Sequence, residues 1–267
     1  MPMTNGGIAF CGGAMLAALM ACADPSAPLN PVAQAGESGP QPARSADSLD
    51  WSASGCRLAV GVYVIPFADL QAYLPAGFTP ADASGLLDLP ADVGEGAALL
   101  SAYECAEHAA TPGALAGAEI NILVEDPLLD DEPADTNYYL AQLVLGPNSP
   151  LNNLISDGWN ALAGQTQVQP GVPMTATVQT GIEEYSLTIL GAAPSTLAGR
   201  SRFWHITPDG PSWFDYDIAA EVRAGALDAR WGPGTLAEAL AQAATASAGI
   251  AVEAFDWNAR YQPPGDR

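Results

Sequence analysis

The sequence predicts an α+β domain: a predominantly antiparallel, strongly curved sheet or partly closed β-barrel with about three short helices. Three observations predict it. About nine short runs between Cys56 and Trp257 are rich in β-branched and aromatic residues. Turn-length links join most of them, without the regular helical crossovers that parallel strands require. Only three stretches carry a helical apolar face. A sheet of that many strands curls, and closure into a barrel removes its edges.

The chain opens on an apolar stretch from Ile8 to Ala21, about 14 residues long. This is signal-peptide length, short of the roughly 18 to 20 residues that span a bilayer. As a buried helix it would carry Gly6, Gly7, Gly12 and Gly13 at a cost of about 1 kcal/mol each. At its end, Leu19-Met20-Ala21-Cys22 resembles the lipobox of bacterial lipoproteins. That resemblance implies cleavage before Cys22 and acylation of its thiol, so residues 1–21 are expected to be a signal peptide. Ordinary cleavage at Ala21-Cys22-Ala23 is the alternative. Residues 22–50 then form a lipid anchor and a Pro/Ala/Ser-rich tether, too polar to offset its ordering entropy. As a coil it would span roughly 30 Å. Residues 51–267 are expected to be a single β-rich domain, exported and held at the cell envelope by the anchor.

The folded part then reads element by element. "CRLAVGVYVI" is a strand, and Pro66 opens a short helix in "PFADLQAYLP", with Phe67, Leu70 and Leu74 on one face and Pro75 and Gly77 as stops. "ALLSAYECAEH", "AEINILVED" and "NYYLAQLVLG" are strands. "SPLNNLISDGWNAL" reads as a second helix, with Ser149 as N-cap and Leu151, Leu154, Ile155 and Leu162 on one side. "MTATVQT", "EYSLTIL", "SRFWHI" and "WFDYDIAAEV" are further strands. "GTLAEALAQAATASAG" reads as the third helix, with Thr235 and Glu238 as a capping box and Gly249 as the stop; the strand "IAVEAFDW" follows.

At "VYVIPFADLQAYLPAGFTPADASG" the pattern resembles the opening of acetoacetate-decarboxylase-like β-barrel proteins. "EINILVEDP", "NYYLAQLVLG" and the segment around "GTLAEALAQ" are compatible with that, over roughly Arg57 to Trp257. The resemblance implies a barrel with an enclosed pocket. It does not carry the family reaction: those decarboxylases act through a lysine imine, and this chain contains no lysine.

Charge and cysteines narrow the function. Thirty acidic residues face eight basic ones, all arginine, for a net charge of -22. Such a chain repels nucleic acid and anionic membrane surfaces, and suits a solubilising coat, a salty habitat or a cationic ligand. Cys56 and Cys105 form an even pair in an exported domain and are expected to be joined by a disulfide. No metal-ligand spacing links the cysteines and histidines, so no metal and no cofactor is expected.

Four residues are candidates for binding a small molecule. Arg202 and Trp204 share one strand face in "SRFWHI" and suit a carboxylate-bearing or planar ligand if that face meets a cavity. His205 shares the other face with Phe203; its plainer role is a hydrogen-bonded histidine at the strand end. Glu119, if turned into the barrel, has its pKa raised by desolvation and becomes an acid or polar anchor. Glu183 is a similar case, and solvent exposure is the plainer alternative for both. Glu125, Asp126, Asp130, Asp131, Glu132 and Asp135 read as a solvated acidic loop without calcium-loop spacing. Three functions remain: an envelope lipoprotein that binds a small molecule; a lyase- or hydrolase-like enzyme using Glu119, Arg202 or His205; and a structural or protein-interaction module.

Overall fold

A computed structural model describes residues 49–84, 92–108, 114–127, 134–146, 149 and 158–262. Cys22, the leader and the tether up to residue 48 lie outside the described residues. Nine strands make one sheet: β1 (Leu49–Pro66), β2 (Glu95–His108), β3 (Leu115–Val124), β4 (Thr136–Leu145), β5 (Ala161–Gln169), β6 (Met174–Thr180), β7 (Glu184–Thr207), β8 (Gly210–Trp231) and β9 (Ala246–Gln262). The ring closes where Leu49 to Ser52 of β1 pair with Asn258 to Tyr261 of β9. β1 therefore starts slightly ahead of the expected end of the tether. Helix α1 (Phe67–Gln71) follows β1, and helix α2 (Leu236–Ala241) precedes β9.

The sheet is mixed rather than uniformly antiparallel. Thr136 to Tyr139 of β4 run parallel to Ser201 to Trp204 of β7, and Leu143 to Leu145 run parallel to Ala161 to Ala163 of β5. The cause is the length of β7. Its first half pairs with β6, and its second half reaches past β6 to lie beside β4. "EYSLTIL" and "SRFWHI" are thus the two ends of one strand. Pro194 and the flanking glycines read locally as a break, but β8 pairs along the whole length and carries the ladder through, Pro194 opposite Arg223. The one irregularity lies between Leu190 and Ala193. There Gly191 takes a positive φ of 90°, and a Cβ on Gly225 would strike the Leu190 carbonyl.

Two helix expectations need correction. Residues 150–157 lie outside the described residues, but Ala161 and Leu162 belong to β5, which "ALAGQTQVQ" forms despite few β-branched residues. Its ladders with β4 and β6 override weak propensity. α2 ends at Ala241, well before Gly249. The alanine-rich continuation offers only small side chains to hold it helical, and pairing with β8 takes it, Gly249 opposite Gly225. The N-terminus of α2 is as expected: Thr235 Oγ1 accepts from Glu238 N at 3.0 Å. The buried Glu183 carboxylate accepts the next free N–H groups, Leu236 and Ala237, each at 3.1 Å.

Cys56 and Cys105 stand opposite each other in the β1–β2 register and are joined by a disulfide. Trp257 Nε1 donates to Cys105 Sγ at 3.3 Å, tying β9 to the bridge.

Candidate functional site

Strand alternation aims one set of side chains into the barrel, where they enclose a cavity of about 320 Å³. β1 supplies Leu58 and Val60; β2 supplies Leu99, Ser101 and Tyr103; β3 supplies Glu119 and Asn121; β4 supplies Thr136 and Tyr138. Across the ring, Phe203 of β7 and Tyr216 and Ile218 of β8 complete the wall. β9 contributes Ile250 and Val252 and then, out of phase, Phe255 and Trp257. The phase change has a visible cause. Between the pairs Ile218–Trp257 and Arg223–Ala251, β9 carries one more residue than β8, and this bulge turns both segments of β9 inward.

The polar floor of the cavity is built on β3. Glu119 and Asn121, two residues apart, share the inner face, and Asn121 Nδ2 donates to Glu119 Oε2 at 3.1 Å. Burial pushes the Glu119 carboxyl up to about 7, and the bond from Asn121 opposes that rise. Glu119 is nevertheless not sealed off, because part of its surface faces the cavity. Beside it, Gly117 stands opposite Tyr103, and a Cβ at Gly117 would meet the Tyr103 hydroxyl at 2.5 Å. The missing side chain is what lets the Tyr103 ring lie across β3. Tyr103 and Tyr216 are held well above the ordinary tyrosine range, first by burial and then by the Glu119 charge. A set of ring contacts continues the wall: Phe203 meets Tyr216 edge-on at 4.8 Å, and Tyr216 meets Trp257 at 4.8 Å.

The rim carries Asp135 and Arg200. The Arg200 backbone N–H donates to Asp135 Oδ2 at 2.7 Å, and its guanidinium Nε lies 3.9 Å from Asp217. An open depression shares Asp135 and Arg200 with this rim and adds Asp217 and Asp256.

Of the four residues singled out from sequence, the structure sets Glu119 in the cavity wall and Arg202, Trp204 and His205 outside it. Arg202 and Trp204 do share a face, but Ser201 and Phe203 are the ones that turn inward. On the outer side Arg202 is 3% exposed and forms a two-point ion pair with Asp215, Nε–Oδ1 2.6 Å and Nη2–Oδ2 3.2 Å. Its guanidinium lies 5.5 Å from the Trp204 ring and 5.3 Å from the Trp213 ring. Trp204 Nε1 donates to Asn137 Oδ1 at 3.0 Å.

His205 sits where β4 leaves β7 for β5. Its Nε2 accepts from Asn160 N at 3.2 Å, its Nδ1 lies 3.4 Å from the Leu140 carbonyl, and its ring stacks on Trp159 at 4.6 Å. Asn160 Nδ2 in turn donates to the Ala141 carbonyl at 2.6 Å, on the residue that bulges out of the β3–β4 register. Backbone groups orphaned by the change of partner thus find side-chain partners. Burial lowers the His205 pKa, and the contacts to the Gly158 and Leu140 carbonyls oppose that. Such a histidine is neutral, with Nδ1 as donor.

Asn121, Tyr103, Tyr216 and Arg200 were not singled out from sequence. The i, i+2 spacing of Asn121 from Glu119 was the available signal for the first. Nothing local marks the other three.

No protein-family model matches the chain, and no curated protein matches it in sequence. Solved structures do match in shape. The enduracididine biosynthesis enzyme MppR complexed with pyruvate superposes with a TM-score of 0.56 at 12% identity, over 88% of this chain and 94% of that one. An acetoacetate decarboxylase-like enzyme from Sphingomonas wittichii RW1 gives 0.51 at 14% identity, over 82% and 92%. The fold is acetoacetate-decarboxylase-like. At these identities the likeness covers the architecture, and the chemistry has to be argued from the residues of this chain.

Proposed function

We propose that this protein is a cell-envelope lipoprotein whose barrel binds a small molecule without lysine imine chemistry. The observation that carries the binding half is the cavity itself: open to solvent on one side, largely apolar, and equipped with the Glu119–Asn121 pair as a fixed polar anchor. A purely structural barrel would fill that space with side chains. MppR, which shares the fold, is described with pyruvate bound, so this architecture accommodates small ligands. The envelope half rests on Leu19-Met20-Ala21-Cys22 and the polar tether after it, and the disulfide suits an oxidising compartment.

Native mass spectrometry of protein isolated from its own host tests the first half: a co-purifying small molecule is expected, and a ligand-free mass throughout counts against it. Membrane fractionation of Cys22→Ser tests the second: release into the soluble fraction is expected, and unchanged retention counts against the anchor.

One observation favours an enzyme as the second reading. A carboxyl with a pKa of about 7 facing a cavity is tuned for general acid–base work near neutrality. In that case Glu119 is the reacting group, flanked by Tyr103 and Tyr216. Turnover lost in Glu119→Gln with ligand binding retained would separate enzyme from binder.

A further inference from the structure

Glu119 is a carboxylate inside an aromatic chamber with no cation set against it. One oxygen is held by Asn121. Among the described residues, none of the ion pairs involves Glu119. Tyr103, Tyr138, Phe203, Tyr216, Phe255 and Trp257 line the same cavity. Ring faces carry partial negative charge and attract a cation set over them. The cationic residue of the cavity wall, Arg200, sits at the rim beside Asp217, among Asp135 and Asp256. The rim therefore adds to the negative field rather than cancelling it. A net charge of -22 extends that field into solvent, where it steers cations toward the opening.

We infer that the cavity takes an organic cation: a protonated amine on a compact apolar body, with its ammonium on Glu119 and its body among the six rings. This rests on the small-molecule reading above and names the class. A cavity of about 320 Å³ lies at the small end of ligand sites, so the occupant is a monoamine of roughly ring size rather than a long polyamine. An anionic ligand would meet the like charge of Glu119. A neutral alcohol would gain the apolar contacts but not the ion pair.

Three probes of similar shape and different charge decide the matter: phenethylamine, 2-phenylethanol and phenylacetate, titrated calorimetrically into the purified full-length protein at about pH 8, where Glu119 is ionised. Phenethylamine is expected to bind at least about tenfold more tightly than 2-phenylethanol, and phenylacetate more weakly than both. Glu119→Gln is expected to erase the preference for the amine, so that phenethylamine and 2-phenylethanol bind that variant about equally; Glu119→Asp is expected to keep part of it. The wild-type ranking is decisive even if a variant fails to fold. Equal or tighter binding of the alcohol or of phenylacetate overturns the amine inference and leaves small-molecule binding standing. Failure of all three at millimolar concentration overturns the amine inference, and joined to a ligand-free mass from the native host it removes the small-molecule reading as well.

Discussion

Asn121 Nδ2 donates to Glu119 Oε2 at 3.1 Å from two residues farther along the same strand face. The bond holds a carboxylate at a fixed angle inside the barrel and restrains a pKa that burial would drive higher. Both residues sit on β3, paired on each side by β2 and β4, so the anchor is as rigid as the sheet.

The stability of the protein should therefore depend on pH through Glu119. Its carboxyl is raised from an ordinary value of 4.5 to about 7. The folded protein keeps a proton that the unfolded chain releases. The favourable contribution is complete below about pH 4.5 and is lost as pH rises through about 7. Tyr103 and Tyr216, raised first by burial and then by the Glu119 charge, stay neutral throughout that range. Glu119→Gln is neutral at every pH, so it should gain on the wild type by on the order of 3 kcal/mol from acid to about pH 8. Urea denaturation at several pH values measures this, and a constant difference would contradict the buried placement.

His205 should matter to the sheet and not to the cavity. His205→Ala removes the acceptor for Asn160 N–H and the donor near Leu140 at the point where β4 changes partners. A loss of about 2–3 kcal/mol is expected, with faster hydrogen exchange at the Asn160 amide and unchanged ligand affinity. Its pKa is lowered, so its contribution is complete above the ordinary value of 6.5 and falls away as the protein is acidified below it, opposite in sign to Glu119.

The Arg202–Asp215 pair offers a test of buried charge. The Arg202 side chain is 3% exposed and that of Asp215 15%. Asp215→Ala should cost about 3–5 kcal/mol because it takes the two-point carboxylate partner from a buried guanidinium. Arg202→Met with Asp215→Ala should cost much less, since neither charge remains. Equal losses in the two proteins, read from denaturant midpoints, would mean that packing rather than charge dominates.

Reduction of Cys56–Cys105 opens a loop with a sequence separation of 49 residues. The chain-entropy model puts the loss at about 4 kcal/mol, an upper figure because residual structure in the unfolded chain reduces it. Thermal melting of the Cys56→Ser, Cys105→Ser double variant, compared with the oxidised wild type, checks it. Free-thiol labelling of both cysteines in the native protein would rule the bridge out.

Much of the architecture was legible in the residues. "CRLAVGVYVI", "MTATVQT" and "FDYDI" announce strands because alternation is a local property of a half-buried ladder. Thr235 with Glu238 marks a helix start for an equally local reason. Neither β5 nor the continuity of β7 was legible, since both depend on partners far away in the chain. The site divides the same way. Alternation put Arg202 with Trp204 and His205 with Phe203, and it had no means of saying which pair faces inward.

By itself the sequence determined the strand content, the absence of lysine, the acidic charge and the pairing of faces along each strand, because these follow from composition and a two-residue period. Only the tertiary structure decided that Phe203 rather than Arg202 meets the cavity, that Glu119 lies inside it, and that Ile250 and Phe255 both turn inward. Those choices depend on how nine strands close and where a bulge shifts the phase, and a property of the whole ring leaves no mark on any single segment.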